Sequence, residues 1–244
     1  MSKYSIGEYL EKALALLGWG IYPLGETAQG ADVGSALEHN TPERTDQLYR
    51  NARVLQHYLN PARLRYYESL VHLLPLETYH QRHIADAGCG PGYFLLQLRR
   101  TVESAGFRPA SLTGFDYSLA ALEIARQILP EADFSQLDIT TPLERRFDIL
   151  FCMDVLEHLL YPARALHNLL QMLAPGGALV LAVPNGRYDY FAGHVNFWSP
   201  ESWRVFLETA GPGYAVTTGL VGNGRLAGER HVNVALLKAI VGVG

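Results

Sequence analysis

The sequence predicts an α/β fold, a doubly wound and mostly parallel sheet of seven strands with helices on both faces and an N-terminal helical appendage. Three observations predict it. From about His83 onward, short apolar runs alternate with helical segments, a pattern that yields parallel strands joined by right-handed crossovers. The first eighty residues carry helical periodicity and no strand pattern. The chain of 244 residues is 48% hydrophobic and 18% charged, with a formal net charge of −4. A chain of that size buries roughly three quarters of its unfolded surface, as one large domain with additions or as two small ones.

From Ser5 to about Trp19, the residues Ile6, Tyr9, Leu10, Ala13, Leu14 and Leu17 recur at helical spacing, and Ser5 with Glu8 fits a capping box. A glycine-rich run from Gly18 to Gly34 breaks that pattern. Thr41 and Pro42 then supply an N-cap and a first-turn proline for one helix carrying Leu48, Ala52, Leu55 and Leu59. Asn60 and Pro61 repeat the signal for a third helix, with Leu64, Tyr67, Val71 and Leu74 on one face and an end before Pro75. The division read from this is a helical segment over residues 1–80 and a sheet domain over residues 81–244. Within the second part, HIADAG, SLTGFD, ADFSQLD, FDILFCM and GALVLAVP are strand-length runs, separated by helices such as Ser118 to Leu129 and Pro162 to Leu173. Ser199 and Pro200 open a helix reaching about Thr209, and Tyr214 to Val221 and His231 to Leu237 read as the last two strands.

Composition excludes several classes. Disorder requires low hydrophobicity and high net charge, and neither is present. Cys89 and Cys152 are the only cysteines, too few for a disulfide framework, which fits a reducing, cytoplasmic setting. No run approaches the ~20 apolar residues of a membrane span, and Glu8 and Glu11 interrupt the first apolar run, unlike a signal peptide. Arg99 with Arg100 and Arg145 with Arg146 are isolated pairs, so no basic stripe marks a nucleic-acid partner.

At the end of the first expected strand stands Asp86-Ala87-Gly88-Cys89-Gly90-Pro91-Gly92-Tyr93. Three alternating glycines let the backbone turn tightly and approach a ligand at the positive end of the following helix. A dinucleotide fingerprint would need glycine at Tyr93, and a phosphate-binding P-loop would need Gly-Lys-Ser/Thr, which is absent. The plain alternative is a tight strand-to-helix turn that needs only small residues. Asp116 ends the second expected strand, where a carboxylate accepts hydrogen bonds from both hydroxyls of a ribose; the alternative is a charge or cap at the next helix, a role Ser118 fills equally well.

The acid, the three glycines Gly88, Gly90 and Gly92 and the strand-to-helix turn resemble the first motif of class I S-adenosylmethionine-dependent methyltransferases. Met153-Asp154-Val155-Leu156-Glu157-His158-Leu159 and Asn60-Pro61-Ala62-Arg63-Leu64 resemble segments of the ubiquinone-biosynthesis-type O-methyltransferases within that class. The resemblance spans roughly Asn60 to Gly211 and implies a Rossmann-like domain with S-adenosylmethionine as cofactor. It implies that Asp86 and the glycines hold the donor, that Asp116 and Tyr117 meet its ribose, and that Asp138 meets the adenine amino group with Ile139 packing nearby. Met153 would lie along the methionine part and Arg63 would reach the carboxylate, an anion suited to a guanidinium fork. An arginine on an amphipathic helix is otherwise a solvated face, and Asp138 is otherwise a turn carboxylate.

Methyl transfer is a displacement at a sulfonium carbon, so the protein must align nucleophile, methyl and sulfur. A hydroxyl acceptor, the kind the resemblance implies, also has to lose a proton, and His158 and His194 are the candidate catalytic residues for this. Nitrogen and carbon acceptors stay open. Asp154 and His158 lie four apart, so on one helical turn they would share a face able to hold a divalent metal. In the competing reading Glu157 caps or pairs locally and His158 bonds the backbone; that reading is adopted, and no metal ligand is assigned. Tyr188, Tyr190, Phe191, Phe197 and Trp198 surround His194, either as a wall for an aromatic or hydrophobic small-molecule acceptor or as core beneath a loop. Trp19, Tyr49, Tyr58, Tyr66 and Tyr67 in the N-terminal helices fit a lid, or a homodimer contact. A nicotinamide-dependent oxidoreductase, disfavoured by the glycine spacing, and a non-catalytic binder of the cofactor are the remaining alternatives.

Overall fold

The computed structural model describes residues 40–189, 191, 193–222 and 232–240. The expected helix from Ser5 to Trp19, the glycine run after it, Tyr190 and the first residue of the last expected strand lie outside the described residues. The described chain opens with helices α1 (Pro42–Tyr49), α2 (Ala52–Tyr58) and α3 (Pro61–Val71) and a 3-10 turn at Leu76–Tyr79. Strands and helices then alternate: β1 (His83–Ala87), α4 (Tyr93–Ser104), β2 (Ser111–Asp116), α5 (Leu119–Ile128), β3 (Asp133–Gln136), β4 (Phe147–Met153), α6 (Pro162–Gln171) and β5 (Leu173–Pro184). Helix α7 (Pro200–Ala210) and strands β6 (Tyr214–Val221) and β7 (Val232–Ala239) close the fold.

The sheet has seven strands in the order β3-β2-β1-β4-β5-β7-β6. The first five neighbours run parallel, and β7 lies antiparallel to both β5 and β6. Strand side chains alternate between two cores. Ile84, Ile149, Phe151 and Val180 face a core shared with α3, α4 and α5, whereas Ala85, Leu150, Cys152 and Leu179 face one shared with α6 and α7. This period of two places helices on both faces, as the sequence predicts. Helix α3 buries Tyr67, Leu70 and Val71 in the first core, continuous with the sheet. Among the described residues no helix is long and apolar enough to cross a membrane.

The single helix expected from Pro42 to Leu59 is two. Asn51 adopts an extended conformation (φ −87°, ψ 113°) and its side chain accepts a hydrogen bond from Arg53 N, so it caps a new helix and stops the old one. The expected apolar face fails with it: Leu48 and Leu59 are half exposed, and Tyr49 is the buried residue of α1. Strand β3 ends at Gln136, two residues before Asp138, because Asp138 Oδ1 accepts from Thr140 N and Thr140 Oγ1 in a local turn.

Because β1 pairs with β2 on one side and β4 on the other, the carboxyl ends of β1 and β4 flank the switch point of the sheet. A crevice opens there in any fold of this class. Here it is a cavity of about 1780 Å³, walled by the loops after β1 to β5 and covered by α1 and α2.

Candidate functional site

The turn after β1 requires its glycines for a backbone reason. Gly88, Gly90 and Gly92 have φ of +83°, +50° and +78°, the left-handed region where a Cβ is strained. Space forbids one as well, since a Cβ on Gly88 would lie 2.2 Å from Val155 Cγ2 and one on Gly92 would lie 3.0 Å from Ala125 Cβ. Gly88 N and Cys89 N both donate to Phe115 O, and Gly90 N donates to Asp116 Oδ2 at 2.8 Å. The loop is thereby tied to the end of β2.

Asp116 is buried, and its other oxygen accepts from Ser118 N at 2.9 Å. Each carboxylate oxygen has one backbone donor and retains acceptor capacity. Burial pushes its carboxyl up to about 6, an effect opposed by the backbone donors. Tyr117 is tied to the cover by a 2.5 Å hydroxyl pair with Thr45 of α1. Asp46 of α1 accepts from Ser118 Oγ and from Ala120 N at the start of α5. Ile139 is buried and its carbonyl accepts from Asn168 Nδ2, whereas Asp138 is exposed at the cavity rim.

Arg63, on α3, lies among the rings of Tyr58, Tyr66 and Tyr67, 5.0–5.7 Å from their centroids, and pairs with Asp154 Oδ2 at 2.6 Å. Its Nε donates to Tyr67 Oη. Burial works to lower its pKa, but Asp154 and the tyrosines raise it further, so the guanidinium stays charged. Asp154 has φ +54°, and its N–H donates to Ala182 O. That left-handed residue excludes the alternative in which Asp154 and His158 share a helical turn, the arrangement that the sequence reading did not adopt. The chain reverses at Asp154, only Leu156–His158 forms a 3-10 turn, and the Asp154 carboxylate is turned to Arg63.

His158 has a different set of neighbours. Its Nδ1 lies 2.9 Å from Gly193 O; a carbonyl only accepts, so Nδ1 carries the hydrogen and Nε2 the lone pair. Burial, then His194, lower the pKa of His158 to about 4, so it is neutral. His194 is buried, with Nδ1 2.5 Å from Asp189 Oδ2 and Nε2 3.9 Å from Glu157 Oε1. The two imidazoles meet edge to face at 4.6 Å. Glu157 is fully buried, its carboxyl is pushed up by burial and by Asp154, and neither oxygen receives a hydrogen bond from a described group. The backbone between them is stitched: Val195 N and Asn196 N donate to Glu157 O, and Asn40 Nδ2 donates to both His158 O and Gly193 O.

The cavity therefore brings together Arg63, Gly88, Asp116, Tyr117, Asp138, Ile139, His158 and His194. Asp86, Gly90, Gly92 and Met153 are not on its wall. Asp86 is buried at the end of β1 with Oδ1 unpartnered, Gly90 sits beneath the Tyr49 hydroxyl, Gly92 packs against α5, and Met153 belongs to the first core. Of the aromatic cluster, Tyr188 and Phe191 line the cavity, Phe197 is half exposed, and Trp198 is partly buried against the second core, packed on Trp203 and Phe206. Sequence reasoning missed Asp189, Asn40, Thr45 and Asp46. None carries a periodic signal; the five-residue interval between Asp189 and His194 has meaning only in the folded loop.

The family model described as a methyltransferase domain matches residues 55–212. The ubiquinone biosynthesis O-methyltransferase of Coxiella burnetii is 30% identical over 141 residues, 55% of each chain. The chain spans about half the length of the curated relatives it matches. Among solved structures, the N-methyltransferase NodS of Bradyrhizobium japonicum in complex with S-adenosyl-L-homocysteine superposes with a TM-score of 0.65 at 20% identity, covering 82% of this chain and 98% of that one. The magnesium protoporphyrin IX methyltransferase of Synechocystis PCC 6803 with the same product bound gives 0.60 at 17% identity, covering 86% and 100%.

Proposed function

The chain belongs to the methyltransferase-domain family, and from that premise we propose that it transfers a methyl group from S-adenosylmethionine to a hydroxyl oxygen of a small molecule. The observation that carries the reading is the Asp116 carboxylate, fixed by Gly90 N and Ser118 N beside the Gly88–Gly92 turn and facing the cavity at the switch point. A carboxylate so held, with acceptor capacity left on both oxygens, suits the two hydroxyls of a ribose. Asp138 and Ile139 follow on the next loop, on the side where the adenine would lie.

The cavity volume of about 1780 Å³ exceeds the ~300–1,000 Å³ of a typical single-ligand site, which leaves room for donor and acceptor together. Tyr188 and Phe191 give the far side an apolar character that suits an aromatic or hydrophobic acceptor. When bound, the donor supplies an electrophilic methyl on a sulfonium. The chain's part is to hold the two partners in line, exclude water with α1 and α2, and accept the acceptor's proton through the neutral imidazole of His158 or through His194. On this reading α1 and α2 serve as the lid. Oxygen is favoured over nitrogen by the likeness to ubiquinone biosynthesis O-methyltransferases.

The test is direct. Calorimetry should show S-adenosylhomocysteine binding one site per chain while NADH does not bind, and mass spectrometry of a metabolite extract incubated with the donor should show one species gaining about 14 Da. Absence of product binding would overturn the donor assignment.

A further inference from the structure

The faces that α1 and α2 turn to the cavity carry two cations that the methyl-transfer reading does not use. On α1, Arg44, Thr45 and Tyr49 line the cavity, and on α2, Arg53 and Tyr58 do. Each stripe starts with an arginine and ends five residues later with a tyrosine, about 7.5 Å further along the helix. The two tyrosine hydroxyls meet 3.1 Å apart, and that of Tyr49 lies over Gly90, so the tyrosines close the glycine turn while the arginines stand one and a half turns away from it. Arg44 is bracketed by two anchors. Asn40 Nδ2 donates to His158 O and Gly193 O on the acceptor side, and Thr45 pairs with Tyr117 on the donor side.

The backbone N–H of each arginine is used in a helix cap, but neither guanidinium has a hydrogen bond or an ion pair among the described residues. The third arginine of the cavity wall, Arg63, is engaged by Asp154. The remaining carboxylates of that wall have other partners: Asp189 holds His194, Asp138 accepts from Thr140, and Asp116 accepts from Gly90 N and Ser118 N. The chain therefore leaves two cations facing the cavity and offers them no acid of its own.

We propose that Arg44 and Arg53 form an anion subsite, and that the methyl acceptor carries a carboxylate which binds there while its apolar body lies toward Tyr188 and Phe191. A guanidinium presents two parallel N–H donors to a carboxylate, so it fixes direction as well as supplying attraction. Direction is what the reaction needs, because the acceptor oxygen must point along the methyl–sulfur line. Both arginines are exposed, so water screens each contact and the pair selects among acceptors more than it tightens binding. The inference rests on the methyl-transfer reading and adds to it the charge of the acceptor.

The experiment titrates the full chain, saturated with S-adenosylhomocysteine, with two matched pairs of probes in a calorimeter: 4-hydroxyphenylacetate against 4-hydroxyphenylacetamide, and 3-hydroxybenzoate against 3-hydroxybenzamide. An exposed ion pair is worth up to about fivefold, so two should make at least one acid bind about tenfold or more tightly than its amide at low salt, with a smaller gap in about 0.5 M salt. The gap should close in a double variant, Arg44→Gln with Arg53→Gln, whose melting curve and affinity for S-adenosylhomocysteine stay close to wild type. No preference for the acid in either pair, undetected binding included, overturns the subsite, and so does a preference that survives in the double variant. A double variant that instead loses affinity for S-adenosylhomocysteine assigns the arginines to the donor and overturns it too. The methyl-transfer reading fails separately, if the wild-type chain does not bind the product at all.

Discussion

Substituting Asp116 by Asn separates donor binding from folding, because the same buried charge that would hold the ribose burdens the empty protein. Its carboxyl lies at about 6 in the fold, against an ordinary 3.8. At 1.36 kcal/mol per pH unit, keeping it ionised at neutral pH costs the folded chain about 3 kcal/mol. The sign follows from linkage: an acid with a raised folded value contributes stability that is complete below pH 3.8 and lost as the pH climbs through about 6. A ribose reverses the preference, since the charged form accepts its two hydroxyls more strongly than the neutral acid does. Affinity for S-adenosylhomocysteine should therefore reach a plateau above pH 7 and weaken about tenfold by pH 5, with a proton released on binding. Asparagine removes the charge and with it two charge-assisted bonds worth roughly 1.5–3 kcal/mol each, so affinity at pH 7.5 should drop by two orders of magnitude or more and lose its pH dependence. The unliganded variant should melt within a few degrees of wild type, because relief of the buried charge offsets the bond to Gly90 N or Ser118 N that an amide nitrogen cannot accept. Calorimetry at pH 5, 6 and 7.5 with melting curves on the same samples reads both quantities. Equal wild-type affinity at pH 5 and 7.5, or wild-type affinity in the variant, would refute the assignment of Asp116.

Three further outcomes follow from the geometry. Gly88→Ala combines a φ of +83° with a Cβ 2.2 Å from Val155 Cγ2, so it should destabilise by roughly 2–4 kcal/mol, and Val155→Ala on top should recover the steric part in denaturant titrations. Arg63→Met strands the largely buried Asp154 without its cation and should cost roughly 3–5 kcal/mol, with Asp154→Asn in the same chain restoring much of the melting temperature. Asp46→Ala removes the acceptor for Ser118 Oγ and Ala120 N that docks α1, so hydrogen exchange of residues 42–49 should quicken about tenfold while the strands keep wild-type protection.

The sheet was legible because burial on both faces imposes its own pattern. FDILFCM reads as a strand since Ile149 and Phe151 enter one core while Leu150 and Cys152 enter the other, and no helix buries four consecutive residues that way. The glycine turn was legible for a complementary reason, as three left-handed positions in five leave few other residues able to occupy them. The break at Asn51 was not legible because asparagine is tolerated in a helical run yet is also a strong cap, and in the fold its side chain accepts from Arg53 N. His194 and Glu157 were singled out separately in the sequence, but their grouping with Asp189 was not legible. Its geometry depends on Glu157 O receiving Val195 N and Asn196 N, contacts between loops 38 and 39 residues apart that no local period encodes.

The two ends of the cavity are built by different means, and this shapes how its chemistry can vary. The donor end consists of two adjacent strand-to-helix turns locked to each other through the Phe115 carbonyl and the Asp116 carboxylate, so altering one residue disturbs both turns. The acceptor end draws on three separated pieces, the 3-10 turn after β4, the loop after β5 and Asn40 ahead of α1. They are joined mainly through backbone groups, with Asn40, His158 and Asn196 supplying side-chain ties to backbone carbonyls. Bonds to backbone do not depend on the identity of the cavity-facing side chain. Phe191 and Leu160 can therefore change without loosening the frame, whereas Gly88 and Asp154 cannot. If the proposed function holds, a set of Tyr188 and Phe191 substitutions on the exposed rim should alter which small molecule gains a methyl group while leaving affinity for S-adenosylhomocysteine within about twofold. A matching loss of donor affinity in those variants would show that the rim and the cradle are a single coupled surface.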